Sequence, residues 1–546
     1  MIVENVKINV DAGKVTGELA HAWNYIGYDE CNYTYTPEGQ ELLAKFGSIQ
    51  EKPYYVRTHY ILCTGNAHGA YKWGSSNVYI EDENGIPVYN FTIIDQIFGT
   101  ILKHGLKPFV ELAFMPQDLV DPKYYDAGSE TRRMTEYRNY GHACPPKDYQ
   151  KWYDLIFALV SRMVDQYGAA EVQTWYWELW NEPNGLMYWR GTIAEFNKLY
   201  DYTAAAVKAA CPQARVGGAA ISGLGRAKSN EFMDGFLRHV TTETNEFTGE
   251  QGAPLDFVSY HIKGGGYRAD PLHRPVDPPS MTKLLGELQI GYDYICKYGL
   301  DRLECVLSEA DPDGWAAGGA WDNHVLNFRN TEYYASYVAC AFDKIARFGQ
   351  ARHWDVRPLT WAFMFVAERC FEGTRTFSTQ GIDKAIFNLF KMYARMGTNQ
   401  VELTSSGSRE AQSFPGAKGK AAPADIGGFA ALDEDNSLQM LVYSHHDLMD
   451  DDGETPVEIA IDHLPGGDRP LTLKHYRIDA NHSNAYAEWV RQGQPIYPKG
   501  GQYAAIKARD SLEMAEPPRQ VTPLDGKISL ATRLPAHAIS LFVLES

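Results

Sequence analysis

The stretch Thr174-Trp175-Tyr176-Trp177-Glu178-Leu179-Trp180-Asn181-Glu182-Pro183 is a short apolar run that breaks into Asn and Glu at its end. Its length and aromatic content read as a buried strand. Before it, residues 148–167 place Trp152, Ile156, Val160, Met163 and Val164 on one helical face, and Gly168 stops the helix. After it, a helix is expected near 194–210. A strand apolar on both faces between two helices is the building unit of a parallel α/β sheet.

The same unit recurs on both sides. Strands are predicted at Pro53–His59, Lys107–Met115, Arg215–Ala220, Leu255–His261, Glu304–Glu309 and Leu359–Val366. Helices are predicted around Ile94–Leu102, stopped by Gly105, and near 282–298 and 331–347. Repeated βα units over residues 17–400 predict a (β/α)8 TIM barrel. The tail has a different period. Ser405–Gly428 is rich in Ser, Gly, Ala and Pro and reads as a loop. Alternating runs follow at Leu438–Tyr443, Val457–Ile461, Leu471–Ile478 and Ile539–Leu544, with Asp450-Asp451-Asp452-Gly453 as a turn. Residues 401–546 are therefore expected to form an additional C-terminal antiparallel β-sandwich, which residues 1–16 join through Val6–Val10.

Composition limits the function. The 546 residues are 44% hydrophobic and 22% charged, which is globular, with room for a large core. Net charge is −18, so nucleic acid is excluded as a partner and a long, densely sulfated polymer is disfavoured. No run of 18 apolar residues exists, so no membrane span or membrane partner is expected. Met1-Ile2-Val3-Glu4-Asn5-Val6 has neither a basic start nor an apolar stretch, which points to a cytoplasmic chain or a removed leader. The eight cysteines are scattered without a CxxC pair, against structural zinc and for free thiols. Aromatic residues at 13% are generous and suit sugar-stacking surfaces as well as a core. His445-His446 lacks a third ligand at useful spacing and reads as an exposed pair. Neither GxSxG nor HExxH occurs, and no glycine-rich phosphate loop follows a strand. No metal and no cofactor is expected.

In a barrel of this kind, chemistry gathers at the C-terminal ends of the strands. Three strand ends are unusually polar: Val56-Arg57-Thr58-His59, then Trp180-Asn181-Glu182-Pro183, then Leu307-Ser308-Glu309-Ala310-Asp311-Pro312. On the fourth and seventh strands of one barrel, Glu182 and Glu309 would face each other across the mouth. Two facing carboxylates are what glycoside hydrolysis requires. Either glutamate alone could instead cap a helix or pair with an arginine. Arg57 and His59 lie lower in the pocket, where a buried ion pair and substrate contact are both open.

The whole chain resembles glycoside hydrolase family 39, the family of β-xylosidases and α-L-iduronidases. The resemblance runs through Val56-Arg57-Thr58-His59, Tyr89-Asn90-Phe91-Thr92, Pro108-Phe109-Val110-Glu111, Pro145-Pro146-Lys147-Asp148-Tyr149 and Trp180-Asn181-Glu182-Pro183. It implies a retaining exo-glycosidase acting on oligosaccharide, with Glu182 as acid/base and Glu309 as nucleophile. Asn181 would then hold the sugar 2-hydroxyl. The segments Thr244–Glu250, Leu255–Gly264, Glu309-Ala310-Asp311-Pro312 and Arg533-Leu534-Pro535 look more like the iduronidase branch. There Lys263 and Arg375 match positions that hold a sugar carboxylate, and Asp311, Gly314 and Glu368 match other sugar contacts; His59 and the sixth-strand His261 are further candidates for substrate contact. The xylosidase branch carries an aromatic residue where this chain has Lys263, and paired glutamates where it has Glu368-Arg369. A terminal uronic acid is the first expectation for substrate and β-D-xylose or arabinose the second. A catalytically silent carbohydrate-binding protein is the reading outside enzymes. Self-association is left open.

Overall fold

The computed structural model describes residues 5–49, 51–65, 74–124, 138–265, 279–314, 319–320, 324–362, 369–409 and 424–546. Its centre is a closed parallel sheet. In order around the ring the strands are Tyr25–Tyr28, Tyr55–Thr58, Lys107–Leu112, Tyr176–Leu179, Arg215–Ile221, Phe257–Gly265 and Glu304–Asp313. The eighth position is one strand interrupted at Leu359. Its first half, Val356–Pro358, pairs with the seventh strand, and its second half, Thr360–Trp361, pairs with the first and closes the barrel.

Helices alternate with these strands. Thr92–Lys103, Tyr149–Tyr167, Ile193–Ala210, Ala227–Thr242, Met281–Lys297 and Glu332–Gln350 surround the ring. The local signals act as the sequence suggests. Asp148 caps Tyr149–Tyr167 by accepting from the backbone N–H of Gln150 and Lys151, and Gly168 ends that helix at φ 84°. Thr192 and Glu195 form a reciprocal capping box on Ile193–Ala210. The first strand and the helix Ala227–Thr242 have no counterpart among the predicted elements. The strand is only four residues long, and the helix carries Gly235 and several polar residues.

Side chains inside the barrel follow the two-residue period of a strand. Tyr25, Phe109, Tyr176, Phe257, Val306 and Leu359 pack together as an apolar floor, with Tyr55 against them. Two residues further along these strands come Gly27, Arg57, Glu111, Glu178, Ser259, Ser308 and Trp361. The floor therefore gives way within one step to a charged layer. Gly27 is needed there because a Cβ at this position would stand 2.5 Å from the Trp361 ring.

The second sheet has nine strands among the described residues. Its order is Glu513–Val521, Leu471–Ile478, Ala538–Glu545, Leu438–His445, Asp425–Leu432, Asn399–Ser405, Val6–Glu18, Glu454–Asp462 and Ile528–Pro535. All neighbours are antiparallel except Val6–Glu18 with Glu454–Asp462, which run parallel. It is one sheet folded over its own core rather than two separate sheets. Ile528–Pro535, at one end of the order, touches Leu438–His445 and Ala538–Glu545 near the other. The enclosed apolar residues include Ile8, Val10, Met440, Ile459, Leu530 and Phe542.

Two tail expectations fail. The loop expected over Ser405–Gly428 fails at its end, where Asp425–Gly428 begins the central strand Asp425–Leu432; residues 410–423 lie outside the described residues. Gly427 and Gly428 serve close approach: a Cβ on Gly427 would lie 2.5 Å from the Tyr443 hydroxyl, and one on Gly428 2.0 Å from the Leu441 carbonyl. His445 and His446 are buried rather than exposed, and His445 Nδ1 meets Ser336 Oγ at 3.0 Å. The sheet docks on helix Glu332–Gln350 through a buried Lys344–Asp425 ion pair at 2.9 Å and a Tyr443–Asp343 hydrogen bond at 2.8 Å. None of the eight cysteines is in a disulfide, and no described helix is long and apolar enough to cross a membrane.

Two glycine substitutions should act with opposite sign. Gly27→Ala forces a Cβ against Trp361 and is expected to destabilise by about 1–3 kcal/mol. Gly286→Ala lies on an exposed helical face where a Cβ meets nothing within 4 Å. It should stabilise by about 0.5–1 kcal/mol. Thermal midpoints of both variants against wild type check the pair.

Candidate active site

The site is assembled on Arg57. Its guanidinium is fully buried, and each nitrogen has a partner. Nε donates to Glu178 Oε2 at 2.6 Å, and Nη1 donates to Glu309 Oε1 at 3.3 Å. Nη2 donates to Asn181 Oδ1 at 3.1 Å and lies 2.9 Å from Glu111 Oε2. One guanidinium thus ties together the second, third, fourth and seventh strands. Trp361 supplies an aromatic face 5.7 Å from Arg57 Cζ and 5.6 Å from Arg375 Cζ.

Glu309 reaches the pocket through an irregularity. Pairing between the sixth and seventh strands shifts register between Leu307 and Glu309. The extra residue, Ser308, keeps the inward parity of Val306, and Glu309 is then set beside His261 and Asp311 beside Lys263. Lys263 Nζ bonds to Glu309 Oε2 and lies 2.8 Å from Asp311 Oδ2. Arg375 Nη2 lies 2.8 Å from the same Asp311 oxygen and 3.8 Å from Glu309 Oε2. Lys263 is only 6% exposed, so it is no solvated loop lysine. Its ammonium already bridges two carboxylates.

Glu182 sits where the fourth strand leaves the barrel. Trp180 and Glu182 both have left-handed backbones, at φ 70° and 45°. Such conformations are costly for residues with a side chain and persist where surroundings impose them. Here Trp180 is wedged among Phe114, Trp152 and Trp189, and the Glu182 N–H donates to Ala220 O at 3.0 Å. The Glu182 side chain is 23% exposed, against 7% for Glu309. His261 Nδ1 is 2.9 Å from Glu182 Oε1 and 3.8 Å from Glu309 Oε1. One oxygen of each glutamate and a His261 nitrogen all lie within 4.8 Å of one another. Among the described residues these three are the group able to bracket one metal ion. Their donor atoms are, however, already engaged with one another and with Lys263.

The two glutamates differ electrostatically. Burial raises the Glu309 carboxyl, but Lys263, His261, His59 and Arg375 outweigh it and hold the group well below the usual range. Burial likewise raises Glu182, and the hydrogen bond and charge of His261 bring it below its ordinary value, while the Glu309 charge pushes it up. Glu309 is thus the more firmly ionised of the two.

The structure brings Arg57, His59, Asn181, Glu182, His261, Lys263, Glu309, Asp311 and Arg375 into one pocket. Asn181 gives its oxygen to Arg57, which leaves Nδ2 as a donor with no protein partner among the described residues. His59 Nε2 lies 3.4 Å from Glu309. Gly314 is exposed, just past the end of the seventh strand. Glu368 lies outside the described residues. Three acids were missed as site members: Glu111, Glu178 and Asp29. All are buried around Arg57 and His59, and Asp29 Oδ1 is 3.6 Å from His59 Nδ1. Period-two counting from the apolar floor finds Glu111 and Glu178, and counting on from Gly27 finds Asp29.

Known proteins with this architecture carry glycosidase names. The sequence model of the glycosyl hydrolases family 39 matches residues 6–528. A β-xylosidase of Geobacillus stearothermophilus is 39% identical over 225 residues, which is 41% of this chain and 39% of that protein. The chain thus spans about two fifths of the length of this relative. The human α-L-iduronidase is 24% identical over 567 residues, covering 97% of this chain and 77% of the relative. Among solved structures, a bacterial orthologue of human α-L-iduronidase superposes with a TM-score of 0.75 at 19% identity, covering 99% of this chain and 84% of that one. A monomeric β-xylosidase from Caulobacter crescentus gives 0.75 at 21% identity and 99% coverage of both chains. A barrel whose mouth holds two glutamates within 4.8 Å is matched by a family model across nearly its whole length. The chain belongs to glycosyl hydrolase family 39.

Proposed function

We propose that this chain is a retaining exo-glycosidase that removes a terminal sugar by double displacement, with Glu309 as nucleophile and Glu182 as acid/base. The observation that carries it is the short Glu182–Glu309 separation, with oxygens within 4.8 Å. Retaining pairs stand about 5–5.5 Å apart, whereas inverting pairs need about 6.5–9.5 Å to admit a water between them. The ionised Glu309 oxygen attacks the anomeric carbon while Glu182 protonates the departing glycosidic oxygen. Attack forms an ester and extinguishes the Glu309 charge, one of the charges that raises Glu182. Glu182, having given its proton to the leaving group, is then a carboxylate relieved of that charge, and it takes a proton from the water that cleaves the ester. Asn181 Nδ2 serves the sugar 2-hydroxyl, a contact that strengthens in the transition state.

For substrate we favour a terminal uronide of the α-L-iduronide kind. Lys263 and Arg375 place two buried cations beside Glu309, sharing one partner in Asp311. A sugar carboxylate entering there meets cations it can draw away from Asp311. A pentoside such as β-D-xyloside is the second reading, favoured by the 39% local identity to a β-xylosidase. Substrate carboxylate binding through one charge-assisted bond amounts to about 1.5–3 kcal/mol, or roughly 10–150-fold.

The mechanism is checked first by Glu309→Gly, which should lose turnover and regain it with azide, giving the product of inverted configuration. Glu182→Ala should cost about 10²–10⁴-fold on substrates with poor leaving groups and much less on activated aryl glycosides. Substantial activity left in Glu309→Gly sinks the assignment.

The pH profile follows from the sign of the Glu182 shift. General acid catalysis needs protonated Glu182, so kcat/KM is present below its pKa and lost as pH rises through it. With His261 holding that carboxyl low, the fall on unactivated substrates should lie on the acid side of neutrality. His261→Asn should move it to higher pH.

Specificity is read from Arg375→Ala, assayed on an aryl α-L-iduronide and an aryl β-D-xyloside. The uronide reading expects at least a tenfold larger loss on the uronide. Lys263→Ala should lower both, since Lys263 also binds Glu309. Faster wild-type turnover of xylosides than of any uronide replaces the first reading with the second.

A further inference from the structure

Glu111 is the buried group that the mechanism above leaves unused. It ends the third strand, is fully buried, and stands two residues above Phe109 of the apolar floor. Its Oε2 lies 2.9 Å from Arg57 Nη2 and 3.1 Å from His59 Nε2. Glu309 Oε1 lies 3.3 Å from Arg57 Nη1 and 3.4 Å from the same His59 nitrogen. The two carboxylates therefore compete for one guanidinium and one imidazole.

Charge counting decides the competition. Arg57 brings one positive charge to three carboxylates: Glu111, Glu178 and Glu309. Glu178 takes the Nε–H in a 2.6 Å hydrogen bond. Glu309 has Lys263 and Arg375 as further cations. Beyond Arg57, Glu111 has within ion-pair distance, among the described residues, only the His59 imidazole, whose protonation burial disfavours, and neither of its oxygens makes a hydrogen bond. The remaining groups facing it are Asp29 and Cys31, which add no positive charge. A third anion buried here would be uncompensated, which is costly in a dry interior.

Resting on the glycosidase reading above, we infer that Glu111 is a positioning residue that stands as a neutral carboxylic acid in the resting site. Being uncharged, it yields Arg57 and His59 to Glu309. Burial acts in the same direction and raises its carboxyl well above the ordinary range, despite the opposing pull of Arg57. Glu309 stays ionised and in place because its neighbour carries the proton.

The test combines spectroscopy and kinetics on the full chain. An infrared difference spectrum of wild type minus Glu111→Gln at neutral pH should show the carbonyl band of a protonated carboxyl. This arm needs no substrate, so it stands or falls apart from the proposed activity. In kinetics, Glu111→Ala should lower kcat by more than tenfold with KM within twofold, and Glu111→Gln, which mimics the neutral acid, should recover most of the loss. The acid limb of the Glu111→Gln profile should coincide with that of wild type, whereas Glu178→Gln, which replaces the carboxyl that takes the Arg57 Nε–H, should shift it to lower pH. Absence of the protonated-carboxyl band, or an acid-limb shift in Glu111→Gln as large as in Glu178→Gln, overturns the proposal even if Glu111→Ala fails to fold.

Discussion

The structure depends on a single positive charge taken out of water. Arg57 is enclosed within the barrel, and every nitrogen of its guanidinium is committed, to Glu178, Glu111, Glu309, His59 and Asn181. Burying an arginine this deep is tolerable only when its partners are fixed at close range, and removing any one leaves an uncompensated group. Four strands are thereby held in mutual register by one side chain. The Asn181-Glu182 end of the fourth strand and Glu309 on the seventh are both tied to that contact, directly or through Asn181.

Above it lies a second arrangement with a different purpose. Lys263 and Arg375 converge on Asp311, and Lys263 also meets Glu309. Protein carboxylates neutralise these cations, and the cations in turn hold Glu309 ionised. On the proposed reading, a ligand with its own negative charge would compete with Asp311 for them, while a neutral ligand would leave the set intact. Substitution at Lys263 mixes the two effects, whereas Arg375 stands farther from Glu309.

Most of the barrel was readable because parallel strands buried on both faces leave continuous apolar runs between clear helical faces. The mouth was readable because polar residues interrupt those runs at strand ends, as in Arg57, Asn181-Glu182 and Glu309. What escaped was of another kind. Glu111 and Glu178 lie inside strands, and only parity counted from the apolar floor separates them from ordinary strand residues. The placement of Glu309 depends on the register shift at Ser308, which leaves no mark in composition. Tyr25–Tyr28 is too short for periodicity. Asp425–Leu432 hid behind Gly427-Gly428, whose small size permits close strand contact rather than a turn. The mostly antiparallel second sheet was legible from its alternation, but the one parallel pair, Val6–Glu18 with Glu454–Asp462, was not, because strand patterns carry alternation but not partner identity.

That parallel pair bears on how the chain is made. Val6 pairs with Val457, and Ile8 lies between Ser405 on one side and Ile459 on the other. A central strand of the sheet thus precedes the whole barrel in the chain, while every other strand of that sheet follows it. At about 5–20 residues per second, it waits roughly 20–90 s for its neighbours. Through that interval the barrel can close behind it, but an apolar strand with two unpaired edges stays exposed. Vectorial synthesis therefore leaves this strand open to mispairing until its neighbours emerge.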